Sequence, residues 1–506
     1  MAKQEPDAIN CHKDSFLFVG TAGMRNSPEE VLLELYRSLF FNRIGKDSAQ
    51  ELLPENNELN RNESYTLKAF RGRQKKQGSM ESYYACPYPA IAKAGWPRKK
   101  TDTPIKHFFI GGPITQYVFG HDSEEKEAKY KEEDLPLIVR ALRGHNVTGS
   151  SENVEFFAAA IGSAEAELNL EEAGEKFLGI SKSNIDKGGG PLNTGGYDDP
   201  LAERIYHDLL ELCAMEKKVA RYYWIQLLLG FLSLSSSIWL LSQMRLTLFV
   251  LKWLVLAIER RELPNEAKIK DAFRNRYHSL FYPSSSAKRE VFEHIENYMK
   301  ARVELVLLLN ELKETKVIDA KTPIPSKPAM LVDYLTRVSG GAVNFKTHLK
   351  KKFNVETTQQ FLTRKGEGYG AWRKPLKSGQ GKNYIEYLRL LRKPQETGVN
   401  ESYLLVPERQ RDLRNQIWLK VLPGPITLQL LLFFTWGEKR RAGLLGRATL
   451  GDLVDTFKGY GIEYNESEAG IELLKSELLR SGLMKGSPDA GLSAQLEKPA
   501  AFNLTR

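Results

Sequence analysis

The sequence predicts a mainly α protein with smaller α+β parts, divided into several domains around a central helical one. Three observations predict it. The chain has 506 residues, more than one hydrophobic core can organise. Its 42% hydrophobic content includes two apolar stretches, 222–241 and 426–436, that are too long for single strands. Glycine-rich and one-sign charged segments then break the chain into blocks. These are an N-terminal α/β or α+β domain over 1–190, a helical domain over 197–325, a basic aromatic segment or small domain over 326–415, and a C-terminal domain over 416–506.

The net charge of +10 favours anionic partners, nucleic acid first and a membrane surface second. The three cysteines, Cys11, Cys86 and Cys213, stand far apart in no CxxC pair, which argues against a disulfide framework or a zinc knuckle. The first fifteen residues contain no apolar signal-peptide core, so a cytoplasmic location is expected.

In the first block, Phe16-Leu-Phe-Val19 reads as a strand and Gly20-Thr-Ala-Gly23 as a turn. Ser27 and Pro28 then open a helix by cap and first-turn proline. That order can cradle a phosphate, yet the glycines follow only a GxxG pattern, and an ordinary strand-to-helix turn is the simpler reading. Residues 61–106 hold eleven Lys/Arg against three acids, with aromatics interspersed, and an acidic stretch from Asp122 to Asp134 compensates. Lys187 to Gly196 reads as a linker, after which Asp199-Pro200 starts a helix.

Tyr222 to Leu241 carries no charge over twenty residues, which is long enough to cross a bilayer. A second apolar run, Leu246 to Ile258, follows Ser242-Gln-Met-Arg245. The favoured reading is a pair of buried helices in a soluble domain, covered by amphipathic helices at 200–219, 265–275 and 287–315. Gln226, Gly230, Ser233 and Ser237 make one weakly polar stripe, while Arg245, Lys252 and Glu259, seven apart, form a solvated edge. The alternative is a membrane anchor.

Residues 345–384 carry ten Lys/Arg against Glu356 and Glu367, interleaved with Phe345, Phe353, Phe361, Tyr369, Trp372 and Tyr384. Cations neutralise phosphates and aromatic faces accept stacked bases, so the composition suits nucleic acid. Candidate contacts are Lys350, Lys351, Lys352, Arg364, Lys365, Trp372, Arg373 and Lys374. The competing reading is a solvated loop whose phenylalanines, spaced by eight, pack on one helical face.

From residue 425 the grammar is local. Pro425 opens an apolar helix to Trp436, Thr449 to Phe457 makes a second, and Glu466 to Arg480 a third capped by Asn465 and closed by Gly482. Leu483 to Lys485 and Leu492 to Glu497, joined across Gly486 to Gly491, predict a hairpin. Three helices and a hairpin are the winged-helix order. The third helix would read DNA, but it carries Glu466, Glu468, Glu472 and Glu477 against Lys475 and Arg480. The module's cations, Lys439, Arg440 and Arg441, lie ahead of its second helix. They complete the set of candidate nucleic-acid contacts.

Eight scattered histidines show no HxH or HExxH spacing, and GxSxG, Walker A and GxGxxG patterns are missing from the sequence. Carboxylate-x-lysine triplets at Glu127-Ala-Lys129 and Glu266-Ala-Lys268 fall in charged helical stretches. No catalytic residue, metal or cofactor is therefore expected. The sequence supports a non-catalytic, nucleic-acid-binding subunit, DNA first, of a larger cytoplasmic assembly that works beside an ATPase or nuclease. This texture is similar to that of accessory subunits of bacterial restriction and phage-defence systems, although no residue motif carries the likeness. Two other readings stand beside it: a membrane-associated scaffold anchored by 222–241, and a metal-dependent nuclease.

Overall fold

The computed structural model describes Leu17 and, between Pro200 and Lys498, all residues outside 284–290, 320–322, 326, 370–383, 385–387, 392–403, 409–417, 444–446, 465–467 and 486–487. Within them the fold is mostly helical. Apart from Leu17, the expectations for the first block, including the turn at 20–23, the basic segment 61–106 and the linker 187–196, lie outside the described residues.

Helix α1 (Pro200–Ala214) begins at its proline. Helix α2 (Arg221–Ile258) then runs unbroken for 38 residues, about 57 Å, where a pair of helices was expected. The expected break fails for a local reason. Ser242-Gln-Met-Arg245 contains neither glycine nor proline, and the Ser242 hydroxyl donates to the Trp239 carbonyl at 2.8 Å within the helix. The expected solvated edge fails too. Arg245 is half-buried and donates to the carbonyls of His278 and Ser279, and Glu259 accepts from Lys346 at 2.7 Å and from the Thr358 N–H at 3.1 Å. Of the three residues spaced by seven, only Lys252 faces solvent.

A helix apolar on all sides must be covered on all sides. The first half of α2, from Trp224 to Met244, lies in a core shared with α1, with residues 277–281 and 291–299, the latter including the start of the helix that opens at Glu293, and with the C-terminal elements. The second half, from Leu246 to Ile258, lies in a core shared with α3 (Glu266–Asn275), α4 (Glu293–Glu314), α5 (Pro328–Gly340), α6 (Ala342–Phe353) and α7 (Thr358–Glu367). Both cores are held by large apolar side chains, each worth about 1.5–3 kcal/mol when buried. Phe231 meets Phe434 edge-on at 5.5 Å in the first, and Trp253 stacks on Phe273 at 6.3 Å in the second. By length and composition, Gln226–Ile258 could cross a bilayer, and 67% of its apolar window is buried inside the protein.

After an antiparallel pair that the sequence did not announce, β1 (Leu405–Glu408) and β2 (Trp418–Val421), come α8 (Pro425–Arg441), α9 (Leu450–Gly459) and α10 (Glu468–Arg480). Thr449 caps α9 through a reciprocal box with Asp452. Gly482 ends α10 at φ +66°, and the Leu483 N–H reaches back to the Leu478 carbonyl. The closing hairpin is narrower than expected. Met484–Lys485 pairs with Gln495–Leu496, while Pro488–Ser493 forms a 3-10 turn over part of the expected second strand. Thr449 adds a bridge to Gln495. Gly461, at φ +70°, brings its carbonyl to the N–H groups of Leu280 and Phe281, both at 2.9 Å. A Cβ there would collide with the Tyr277 carbonyl, so this crossing requires glycine.

Candidate nucleic-acid interface

Helices α6 and α7 form a hairpin rather than the loop or the single helical face that the phenylalanine spacing suggested. Asn354 turns the chain in the left-handed conformation, and Thr357 starts α7 with a capping box to Gln360. Phe345 and Phe361 point into the second core, and Phe353 packs on Phe361 at 5.1 Å. Lys350, Lys351 and Lys352 occupy the last turn of α6, and Arg364 and Lys365 that of α7, where cations complement the carbonyl end of a helix.

Between the two helix ends opens a cleft of about 170 Å³, lined by Lys352, Phe353, Val355, Phe361, Arg364 and Lys365. The Phe353 ring has the Lys365 ammonium 4.4 Å and the Lys352 ammonium 5.0 Å from its centre. Arg364 donates to the Phe353 carbonyl at 2.9 Å, which fixes the guanidinium beside the cleft. Lys352 is tethered from behind by Glu311 at 3.0 Å and Glu314 at 2.5 Å on α4. Partial burial pulls its ammonium down, but the hydrogen bonds and charges of Glu314 and Glu311 raise it above its ordinary value. Lys350 makes a long exposed pair with Glu356 at 3.6 Å. Lys351 is exposed and forms no ion pair among the described residues. Trp372, Arg373 and Lys374 lie outside the described residues.

The second set of expected contacts is placed differently. Lys439 pairs with Asp452 at 2.8 Å, Arg440 with Glu211 at 3.5 Å, and Arg441 with both Glu211 and Asp208. Asp208 is fully buried, also accepts from the Tyr460 hydroxyl, and is pushed up to about 6 by its burial, against the pull of Tyr460, Arg204 and Arg441. Burial likewise raises Glu211 despite its two arginines. Arg204 pairs with Glu438 at 2.8 Å and lies 5.9 Å from the Tyr460 ring centre. Two glycines make this packing possible: a Cβ on Gly437 would overlap the Glu211 carboxylate, and one on Gly459 the Arg204 guanidinium. The cluster is a clasp between α1 and the α8–α9 end, in which Arg441 is held by Glu211 and Asp208 while Arg440 touches Glu211 at 3.5 Å and keeps most of its side chain exposed.

Glu311, Glu314 and His348 bring metal-type donor atoms within 4.8 Å of one another, with His348 2.8 Å from Glu311. The Lys352 ammonium lies on both carboxylates, so a side chain already neutralises their charge. Sequence reasoning missed this group because its members come from two helices whose pairing no local pattern records. No family model, characterised protein or solved structure matches the chain.

Proposed function

We propose that the chain is a non-catalytic nucleic-acid-binding subunit of a larger assembly, with DNA the first candidate. One observation carries the reading: Lys352, Arg364 and Lys365 converge on a single open cleft, with Lys351 exposed on the adjacent turn. Lys352 is tied to Glu311 and Glu314, so the donors offered to a phosphate backbone are those of Lys365, Lys351 and the remaining N–H groups of Arg364. The membrane reading has less support, because the long apolar helix is largely enclosed by the chain's own helices.

We infer further that residues 425–496 are a winged-helix module serving as a protein dock rather than a reader of DNA. The order α8, α9, α10, hairpin supports the first part, together with the Thr449 bridge to Gln495. The charge of α10 supports the second. Its two cations are engaged locally, Lys475 by Glu472 at 2.5 Å and Arg480 by Glu477 at 2.5 Å, so α10 offers no unpaired cation among its described side chains to a phosphate.

Fluorescence anisotropy with labelled single-stranded and duplex DNA and RNA, at two salt concentrations, tests the proposal. Wild-type affinity is expected to fall with salt. In the double variant Lys351→Glu/Lys365→Glu the slope of log K against log salt should shrink by about 2, one for each lost phosphate contact. Equal affinity and slope in the two proteins would remove the cleft from the interface.

A further inference from the structure

We propose that the cleft between α6 and α7 holds one phosphodiester link of a nucleic-acid backbone and reads no base. This deepens the nucleic-acid reading and rests on it. The polar side chains lining the cleft, Lys352, Arg364 and Lys365, are all hydrogen-bond donors, with no carboxylate, amide or hydroxyl among them. Adenine and cytosine edges present a donor that would need an acceptor in the wall, which the lining lacks, whereas the acceptor-only major-groove edge of guanine would not. A phosphodiester presents acceptors only. The donor lining therefore matches the backbone and, among bases, guanine above all, and the exclusion of a base rests on the covered rings and the size of the cleft.

The aromatic component points the same way. Stacking proteins offer an open ring face to each base. Here Phe361 is buried, and Phe353 is packed against Phe361 on one side and approached by two ammonium groups. His348 meets its edge at 6.3 Å. The aromatic residues that the composition offered as stacking platforms serve the core and position cations. Size agrees: the cleft holds about 170 Å³, below the roughly 300 Å³ at which pockets for whole small molecules begin, so it has room for a phosphate group but not for a nucleotide with its base. Glu311, through both oxygens, and Glu314 take the donors of Lys352 and hold it in the wall, which leaves Lys365 and Arg364 to donate to the ligand. Arg364 is fixed by its bond to the Phe353 carbonyl. The donors are positioned before any ligand arrives, which reduces the ordering cost of binding.

The experiment uses the full chain and competition against one labelled DNA strand. Competitors are equal-length DNA strands of three unrelated sequences, a charge-free peptide nucleic acid matching one of them, and inorganic polyphosphate. The three DNA strands should compete within about threefold of one another, polyphosphate should compete, and the neutral analogue should not. Lys365→Glu should weaken all three strands by one common factor, roughly tenfold, and the milder Lys365→Gln by less. A preference above about tenfold between sequences, or retained competition by the neutral analogue, overturns the base-blind inference while leaving nucleic-acid binding intact. Wild-type affinity in both Lys365 variants, with unchanged thermal unfolding, overturns the cleft as the site. Failure of every strand to bind wild-type protein defeats the parent reading itself.

Discussion

The cations at 439–441 and those at 350–365 are of the same kind in sequence and differ in what faces them. At the end of α8, Arg440 and Arg441 meet Glu211 and Asp208 from a helix more than two hundred residues earlier, inside a clasp shaped by Gly437 and Gly459. At the ends of α6 and α7, Lys352 meets Glu311 and Glu314, while Arg364 and Lys365 border a cleft whose lining holds no carboxylate. A lysine or arginine count therefore says how much positive charge a chain carries, and the fold decides how much of it is available to a partner. Under the proposed reading the first group has a stabilising role and the second a binding one, and substitutions should separate the two.

The largest effect is expected at Gly461→Ala. It combines a left-handed backbone with a Cβ driven into the Tyr277 carbonyl, and should cost about 3 kcal/mol or more in urea unfolding. DNA affinity per folded molecule should stay unchanged. Arg441→Ala leaves Asp208 and Glu211 without their shared partner and should cost about 3 kcal/mol, again with affinity unchanged. Weaker DNA binding at undiminished stability would erase the distinction between the two groups.

Asp208 supplies the pH test. Its folded value, about 6, lies above its ordinary 3.8, so its contribution to stability is fully present below about 3.8 and is lost as pH rises through 6. Relative to wild type, Asp208→Asn should gain on the order of 2 kcal/mol between pH 4 and 7, because the variant has no charge to bury. Taking the difference cancels Glu259 and Asp452, whose values are lowered and whose contributions run the other way, lost as pH falls. A pH-independent difference in denaturant midpoint would show that Asp208 is not the titrating group. At the cleft, Lys351→Glu/Lys365→Glu reverses two charges at helix C-termini and should cost about 1–2 kcal/mol in stability while lowering affinity per folded molecule. The smallest effect belongs to Lys350→Ala, whose exposed pair with Glu356 is worth about 0–0.5 kcal/mol in thermal unfolding.

What was legible in the sequence was local. Pro425, Thr449 and Gly482 bound their helices because capping chemistry acts within three or four residues. Lys350 to Lys352, Arg364 and Lys365 were visible as a cationic run, and the structure places Lys352, Arg364 and Lys365 around one cleft. What escaped was non-local. Arg245 looked like a surface charge because its partners, the carbonyls of His278 and Ser279, lie over thirty residues on. Asp208 and Glu211, three apart on α1, were the visible half of a clasp whose other half begins at Glu438. The phenylalanine spacing of eight indicated core packing, which Phe345, Phe353 and Phe361 show, but not a single helical face, because Asn354 reverses the chain between the second and third members.

The unbroken course of α2 has a consequence for communication along the chain. Its two halves belong to different cores with no loop between them, so fraying one core exposes the helix that the other depends on. Occupancy of the cleft, which touches only the second core, should then add to the unfolding free energy of the first by mass action, about 2.7 kcal/mol at a ligand concentration one hundred times Kd. Amide protons of α8, remote from the ligand, should exchange more slowly when DNA is present. Slower exchange there would show that the long helix couples the two cores.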